Sequence, residues 1–377
     1  MDFSLSSEQN LIFETAYEFG QEDIAPHALG WEETFIPRGF LKKVGELGFG
    51  SLYVPEKDGG AGLSRLDSTL VFEALAMACP SVSSFISIHN MCAWMISRNG
   101  NNFVKKEFLE PMIKMDKICS YCLTEPNSGS DSAALATKAE KTNDGFKING
   151  SKSFISGGGF SDFYLSMVRT GSAGPRGISA VLIKDGTKGL SFGSQEQKMG
   201  WKSQPTSQVI FEDCKILADQ LLGEENQGFV YAMQGLDGGR LNIAAAALGG
   251  AQTAINKAKQ YMKERLAFGK KLNEFQGLQF KIADMEIAIN ASRTFLREAA
   301  WKLDNDKADA SVHCSMAKKF VTDNSFKVAN DALQLLGGYG YLKDYGIEKI
   351  VRDLRVHQIL EGTNEIMQMM IARHFLR

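Results

Sequence analysis

The stretch HQILEGTNEIMQMM, residues 357–370, places one acid, Glu361, between the apolar pair Ile359–Leu360 and a glycine, with no lysine or arginine within three positions. Thr363 can cap the helical run NEIMQMMIARHF, which puts Glu361 immediately before that helix. The positive end of the helix dipole favours the ionised carboxylate, and apolar neighbours favour the neutral acid. Opposed effects of this kind can poise a carboxylate as a proton acceptor near neutrality. The same residues also fit a surface glutamate in a turn.

Three further stretches carry polar groups where a ligand could use them. TEPNSGSDSAA (124–134) follows an apolar, strand-like run. Thr124, Ser128, Ser130 and the amides around Gly129 form a donor-rich loop, suited to a phosphate or a polar ring edge, or simply an ordinary Ser/Gly loop. GLDGGRLNIAAAALGGAQ (235–252) sets Gly238 and Gly239 inside a helical apolar run and follows them with Arg240. Each internal glycine costs about 1 kcal/mol against alanine, so close helix packing or a ligand at the backbone must compensate. ERLAFGKKL (264–272) and LQLLGGYGY (333–341) are Gly-punctuated helix ends carrying Arg265 and Gln334.

Other chemistries find no support. Cys119 and Cys122 form a CxxC within a strand-like run, where positions i and i+3 point to opposite faces, and no second CxxC completes a zinc site. The five histidines have no metal-ligand spacing, and His357 reads as a structural residue. No GxSxG, GxxxxGK[ST] or βαβ-borne GxGxxG occurs.

The elements that must position these residues fall into three blocks. The first is helical: Ser6 with Gln9 fits a capping box, and Ile12, Phe13, Ala16, Phe19 and Ile24 recur at helical spacing up to Pro26. RLDSTLVFEALAMACP and SVSSFISIHNMCAWMI are two further apolar helices. Near residue 118 the period changes to short β-branched and aromatic runs, from ICSYCLTEP to SQVIFEDCKI, and Asn149-Gly150 predicts a hairpin turn between two of them. From about 226, long helices return, with Phe275, Leu278, Ile282, Met285, Ile289 and Leu296 on one stripe and a second helix closed by glycine before residue 338. Helices, strands, then helices is not a Rossmann order.

The 377 residues suggest two or three domains at about 150 residues each. Forty-two basic against 44 acidic residues give a net charge of −2, which offers nothing to nucleic acid or an anionic membrane. No apolar run reaches the roughly 18 residues of a membrane span. Six scattered cysteines favour a reducing compartment. An acid-rich start with no lysine or arginine before Arg38 lacks the marks of a secretory or mitochondrial leader. The expectation is a cytoplasmic bacterial protein, or a mature mitochondrial matrix form.

Taken together, YCLTEPNSGSD, FISGGG, GLDGGR, RLAFG, LQLLGGYGY and EGTNE make the whole chain resemble the acyl-CoA dehydrogenase family. The resemblance implies a mainly α fold with a central β domain. It comprises an N-terminal helical domain (1–116), a middle antiparallel β-barrel domain (117–224) and a C-terminal four-helix bundle (225–377), with FAD between the last two. Tyr121, Leu123, Thr124, Gly129 and Ser130 resemble the loop on the flavin, with Ser130 also near the substrate phosphates. Phe154, Ile155 and Ser156 resemble the segment against the isoalloxazine ring. Arg265, Phe268, Gln276, Gln334, Gly337 and Gly338 resemble contacts to the FAD pyrophosphate and adenosine, several of them made across a homotetramer, and Thr363 and Glu365 resemble further FAD contacts. Asp237, Gly238, Arg240 and Gly362 resemble parts of the acyl-CoA site.

Glu361 resembles the catalytic base. One branch of the family carries its glutamate just before the arginine of the long helix, and here that position is Gly239. The implied reaction is α,β-dehydrogenation of an acyl-CoA to a 2-enoyl-CoA. Glu361 takes the α-proton, flavin N5 takes the β-hydride, and the electrons pass to an electron-transfer flavoprotein. SIHNMCAWMI, GWKSQPT and GGYGYLKDY lean toward members acting on a short, 2-methyl-branched chain, with isobutyryl-CoA the first expectation and butyryl- or 2-methylbutyryl-CoA the alternatives. An oxidase using O₂ and a non-catalytic helical assembly protein are the rival readings. Two departures stand out: Asn127 replaces a glycine of the flavin loop, where the turn calls for a residue tolerant of left-handed backbone, and Leu336 stands where relatives have histidine.

Overall fold

The computed structural model describes residues 4–376. Short helical turns aside, the helices are α1 (Ser7–Phe19), α2 (Arg38–Glu46), α3 (Arg65–Ala78) and α4 (Pro80–Asn99) before the strands. After them come α5 (Gly228–Glu264), α6 (Gln276–Asp304), α7 (Ala310–Leu336), α8 (Ile347–Arg355) and α9 (Asn364–Phe375). The expected capping box opens α1, Ser6 and Gln9 bonding reciprocally. Pro80 starts α4 at its first turn, where the missing N–H is harmless. Only Cys79, in extended conformation, separates α3 from α4, so these two apolar helices turn sharply and are buried along most of their lengths.

The strands are β1 (Cys119–Cys122), β2 (Lys138–Lys141), β3 (Gly145–Ser156), β4 (Phe163–Arg169), β5 (Ile178–Lys184), β6 (Leu190–Phe192), β7 (Thr206–Leu217) and β8 (Leu221–Leu222). They pair in the order β6-β7-β3-β2-β4-β5-β8, with β1 added on β4. Most pairs are antiparallel, but β1 runs parallel to β4, and Lys138 of β2 pairs in parallel with Arg169. The wholly antiparallel domain expected from the short runs is therefore a mixed sheet. Its first strand arrives from the helical block beside a strand it does not follow directly, and a crossover of that length permits parallel pairing. Among the described residues no pairing joins β6 to β8.

Asn149-Gly150 is not a hairpin turn. It lies inside β3 as a bulge, with the register against β7 shifting between Ile148 and Gly150. Asn149 accepts from the Asp213 amide (2.8 Å) and donates to its carboxylate (3.1 Å). A side chain on Gly150, at φ 142°, would strike Thr137. The β2–β3 turn falls at residues 142–145, where Thr142 N–H donates to the Gly145 carbonyl. The period-2 reading of the CxxC holds: Cys119 joins the core between sheet and α4, and Cys122 joins the core on the sheet's other face.

α5 is 37 residues long, about 55 Å at 1.5 Å per residue. It packs on α3, α4, α6 and α7, and α9 lies against α7. Its glycines make this possible. A Cβ on Gly249 would fall 2.1 Å from the Glu73 carbonyl of α3, and one on Gly250 would meet Pro80. Close crossing thus compensates those two. Gly235, Gly238 and Gly239 instead face side chains of the candidate site.

Candidate active site

After α8 and a short helical turn, Ile359 and Leu360 both donate to the Val356 carbonyl. The chain then reverses through two left-handed residues, Glu361 at φ 57° and Gly362 at φ 87°. Such a conformation is uncommon for a residue with a Cβ, and it persists only where surrounding contacts hold it. Thr363 caps α9 by accepting from Ile366 N–H at 3.3 Å, as its position implied. Lys318 of α7 donates to the Gly362 carbonyl and to Asn364 Oδ1, both at 2.8 Å. Asn364 is held in turn by Thr322 and Asp323. Arg240 Nε reaches the Glu361 carbonyl at 3.4 Å, while its Nη1 pairs with Asp237 at 2.6 Å.

The turn aims the Glu361 side chain at α5. A Cβ on Gly239 would lie 2.3 Å from Oε2. Oε2 is enclosed and has no hydrogen-bond partner among the described residues. The Glu361 amide N–H also has no acceptor among them. Burial pushes the carboxyl up to about 7, against the opposing pull of Arg240 and Lys318. Burial brings the Lys318 ammonium down to about 7. The Tyr121 hydroxyl, also enclosed and unpartnered, is raised by burial and next by the charge of Glu361. A carboxylate of this kind, free at one oxygen and balanced near neutrality, can accept a proton from a weak C–H acid, and the free N–H beside it can steady a neighbouring oxyanion.

The polar loop lies at the end of β1. Ser153 N–H donates to the Thr124 carbonyl (2.8 Å), which ties the loop to β3. The buried Lys152 donates to Glu125 Oε1 (2.8 Å) and the Leu123 carbonyl (3.3 Å). Glu125 accepts the Ala136 and Thr137 amides. Burial would raise the Glu125 carboxyl, but Lys152 and these donors outweigh it and hold it below its usual range. Glu125 and Ser128 bridge through their main chains, and Ser128 Oγ bonds to the Asp131 carbonyl. Asn127 is not left-handed, contrary to the expectation for that turn; the bridge closes it with ordinary backbone. Ser130 and Gly129 are exposed. Phe154 stands at φ 59° and is 68% exposed, between Ser153 and the buried Ile155, and the Ser156 carbonyl accepts from Ser120.

The remaining candidates lie elsewhere. Arg265, Gln334, Gly337 and Gly338 line a surface cavity of about 640 Å³, together with Tyr261, Tyr339 and Leu336. Gln276 and Phe268 are exposed, Phe268 at 96%. From Gly239 to the end of α5 is 25 residues, about 37 Å of helix, so this cavity is remote from Glu361 within one chain. Leu336 is otherwise buried in the helical core, an environment that would desolvate a histidine. Glu365 is exposed on the first turn of α9.

Sequence reasoning missed Lys318, and also Arg65, whose Nη1 stands against Gly238 with the Tyr53 ring beside its guanidinium. Lys318 carried a signal: it falls in helical phase with Cys314, Val321 and Ser325, all buried. His357 is structural as expected, buried between Trp201 Nε1 (3.2 Å) and the Ile243 carbonyl (3.1 Å). No group of metal-ligating side chains occurs among the described residues, and no described helix is long and apolar enough to cross a membrane.

Comparison with known proteins matches three family models along the chain: acyl-CoA dehydrogenase N-terminal domain over 6–116, middle domain over 120–214 and C-terminal domain over 226–376. The chain is 50% identical to the mitochondrial isobutyryl-CoA dehydrogenase of Bos taurus, covering 99% of this chain and 90% of that protein. It is 51% identical to that of Dictyostelium discoideum, covering 98% and 89%. Among solved structures, butyryl-CoA dehydrogenase from Megasphaera elsdenii superposes with a TM-score of 0.96 at 37% identity, each chain covered completely.

Proposed function

Because this chain belongs to the acyl-CoA dehydrogenase family, whose enzymes work with FAD, we propose that Glu361 is its base and that a short, 2-methyl-branched acyl-CoA is its substrate, isobutyryl-CoA first. The observation that carries the reading is the paired opening at residue 361: one carboxylate oxygen, set against Gly239 of α5, and the amide N–H of the same residue, both free of partners among the described residues.

A thioester α-C–H is weakly acidic. Glu361 takes that proton at its free oxygen, and its N–H stabilises negative charge growing on the thioester oxygen. FAD, when bound, supplies the acceptor for the β-hydride that no side chain can take. Arg240 and Lys318 fix the turn that carries the base. Tyr121 and the glycine face of α5 wall the reacting carbons from water.

The residues present fit the cofactor. Phe154 offers an exposed ring on strained backbone next to the Thr124 loop, which its neighbour Ser153 binds; Thr124 and the adjacent Ser156 supply polar groups there, and Ser130 is exposed further along the same loop. Thr363 and Glu365 stand at the start of α9, just past Glu361 in the chain. The cluster of Arg265, Gln334, Gly337 and Gly338 is too distant to serve the same flavin from the same chain. That separation, and the exposed Phe268, Leu266 and Tyr341 beside the cavity, support a homotetramer in which a neighbour supplies those contacts. Electrons leave to an electron-transfer flavoprotein.

The test is anaerobic flavin bleaching with isobutyryl-, 2-methylbutyryl- and butyryl-CoA. Wild type bleaches fastest with isobutyryl-CoA. Glu361→Gln retains its flavin and loses roughly 10²–10⁴-fold in rate. Bleaching by the variant at the wild-type rate removes Glu361 from the reaction.

A further inference from the structure

Arg65 opens α3 and has no part in the chemistry above. The residue is 8% exposed, and its guanidinium lies 3.6 Å from the Tyr53 ring centroid and 4.7 Å from that of Trp94. Its Nη1 is enclosed with no hydrogen-bond partner, and its side chain forms no ion pair among the described residues. Its main-chain N–H, with that of Leu66, is bound by the Asp304 carboxylate at 2.6 and 3.0 Å, so the arginine enters from a fixed backbone. A buried guanidinium is costly to fold around; the Tyr53 and Trp94 rings offset part of that cost, but the donor at Nη1 stays unmet.

Its position gives it a use. A Cβ on Gly238 would lie 2.4 Å from Arg65 Nη1, as one on Gly239 would lie 2.3 Å from Glu361 Oε2. The guanidinium and the carboxylate therefore cover consecutive residues of one helix. Tyr53, stacked on Arg65, accepts from Asn242 at 3.0 Å, one turn further along α5. Met95 and Met91 cover Gly235, one turn back.

We propose that Arg65 is a specificity-determining residue that closes the far end of the acyl pocket and restricts it to short chains. The proposal rests on the reading of Glu361 as base, because that reading puts the substrate α-carbon against α5 at Gly239. Each methylene added beyond a short chain presses against a charged plane that Tyr53 and Trp94 hold in place. An apolar chain end also leaves the open donor buried and unmet. An alanine at residue 65 removes both obstacles. A methionine keeps most of the volume and removes only the charge and the donor.

The experiment measures kcat/KM of the FAD-loaded enzyme for isobutyryl-, butyryl-, hexanoyl- and octanoyl-CoA in wild type, Arg65→Ala and Arg65→Met, with flavin content and circular dichroism confirming the fold. The expected result is a hexanoyl-to-isobutyryl ratio raised at least tenfold in Arg65→Ala and by a smaller factor in Arg65→Met. A wild-type chain-length profile in either folded variant overturns the proposal. Failure of the underlying reading shows separately, as wild type that bleaches with none of the short thioesters.

Discussion

The carboxylate of Glu361 occupies the space that a side chain on Gly239 would need: a Cβ there would lie 2.3 Å from Oε2 and 2.9 Å from Cδ. Two positions 122 residues apart in sequence thus address one point in space. Gly239→Ala is expected to displace the carboxylate by about an ångström and to lower kcat by roughly 10²-fold, with flavin content unchanged. Combining Glu361→Gly with Gly239→Glu should recover part of the activity lost in Glu361→Gly alone. Full activity in Gly239→Ala would show that the carboxylate has room the structure denies it.

Since burial raises the Glu361 carboxyl to about 7, the base is half protonated at neutral pH. Only the ionised form accepts the α-proton. The profile of kcat/KM against pH should rise about tenfold per unit up to a bend near pH 7. A bend near the ordinary glutamate value of about 4.3 would contradict the burial seen here.

Lys318→Met removes a buried donor from the Gly362 carbonyl and Asn364, together with one of the two charges that favour ionised Glu361. The acid bend of the pH profile should therefore move upward, because the ionised carboxylate loses the stabilisation of a nearby cation. Leaving the carbonyl unpaired should also cost about 1–3 kcal/mol of stability. Stability loss with an unmoved bend would confine Lys318 to a scaffolding role.

His89 and His357 are buried, and burial depresses them to about 4 and about 3. Both are neutral in the folded protein at pH 6, whereas an unfolded histidine protonates below about 6.5. Their contribution is complete above pH 6.5 and is lost as pH falls from there toward the folded values, by up to about 1.4 kcal/mol per pH unit for each residue. Chemical denaturation at pH 7.0, 6.0 and 5.0 should show that decline, and His89→Gln should flatten it. A pH-independent midpoint across this range would contradict the buried, neutral state.

The three-block order and the position of Glu361 were legible because both rest on local patterns: hydrophobic period, caps, and an acid placed against a helix start. The outward split of Cys119 and Cys122 followed from period 2 alone. What stayed illegible depends on who stands across a gap. Arg65 reads as an ordinary first-turn residue until Tyr53, Trp94 and Gly238 converge on it from three other segments. Asn149-Gly150 carries the chemistry of a tight turn, yet Asp213 and Thr137 opposite it turn the same dipeptide into a bulge. Asn127 was expected to need left-handed tolerance, and the Glu125–Ser128 bridge made that unnecessary.

Strand β1 places its two thiols in different compartments, one under helix α4 and the other in the opposite core. An oxidant cannot join them while the segment between them stays a strand. With the other four cysteines replaced, a thiol-reactive dye would therefore keep two separate clocks: Cys119 would mark when the helices lift away, and Cys122 when the sheet itself comes apart.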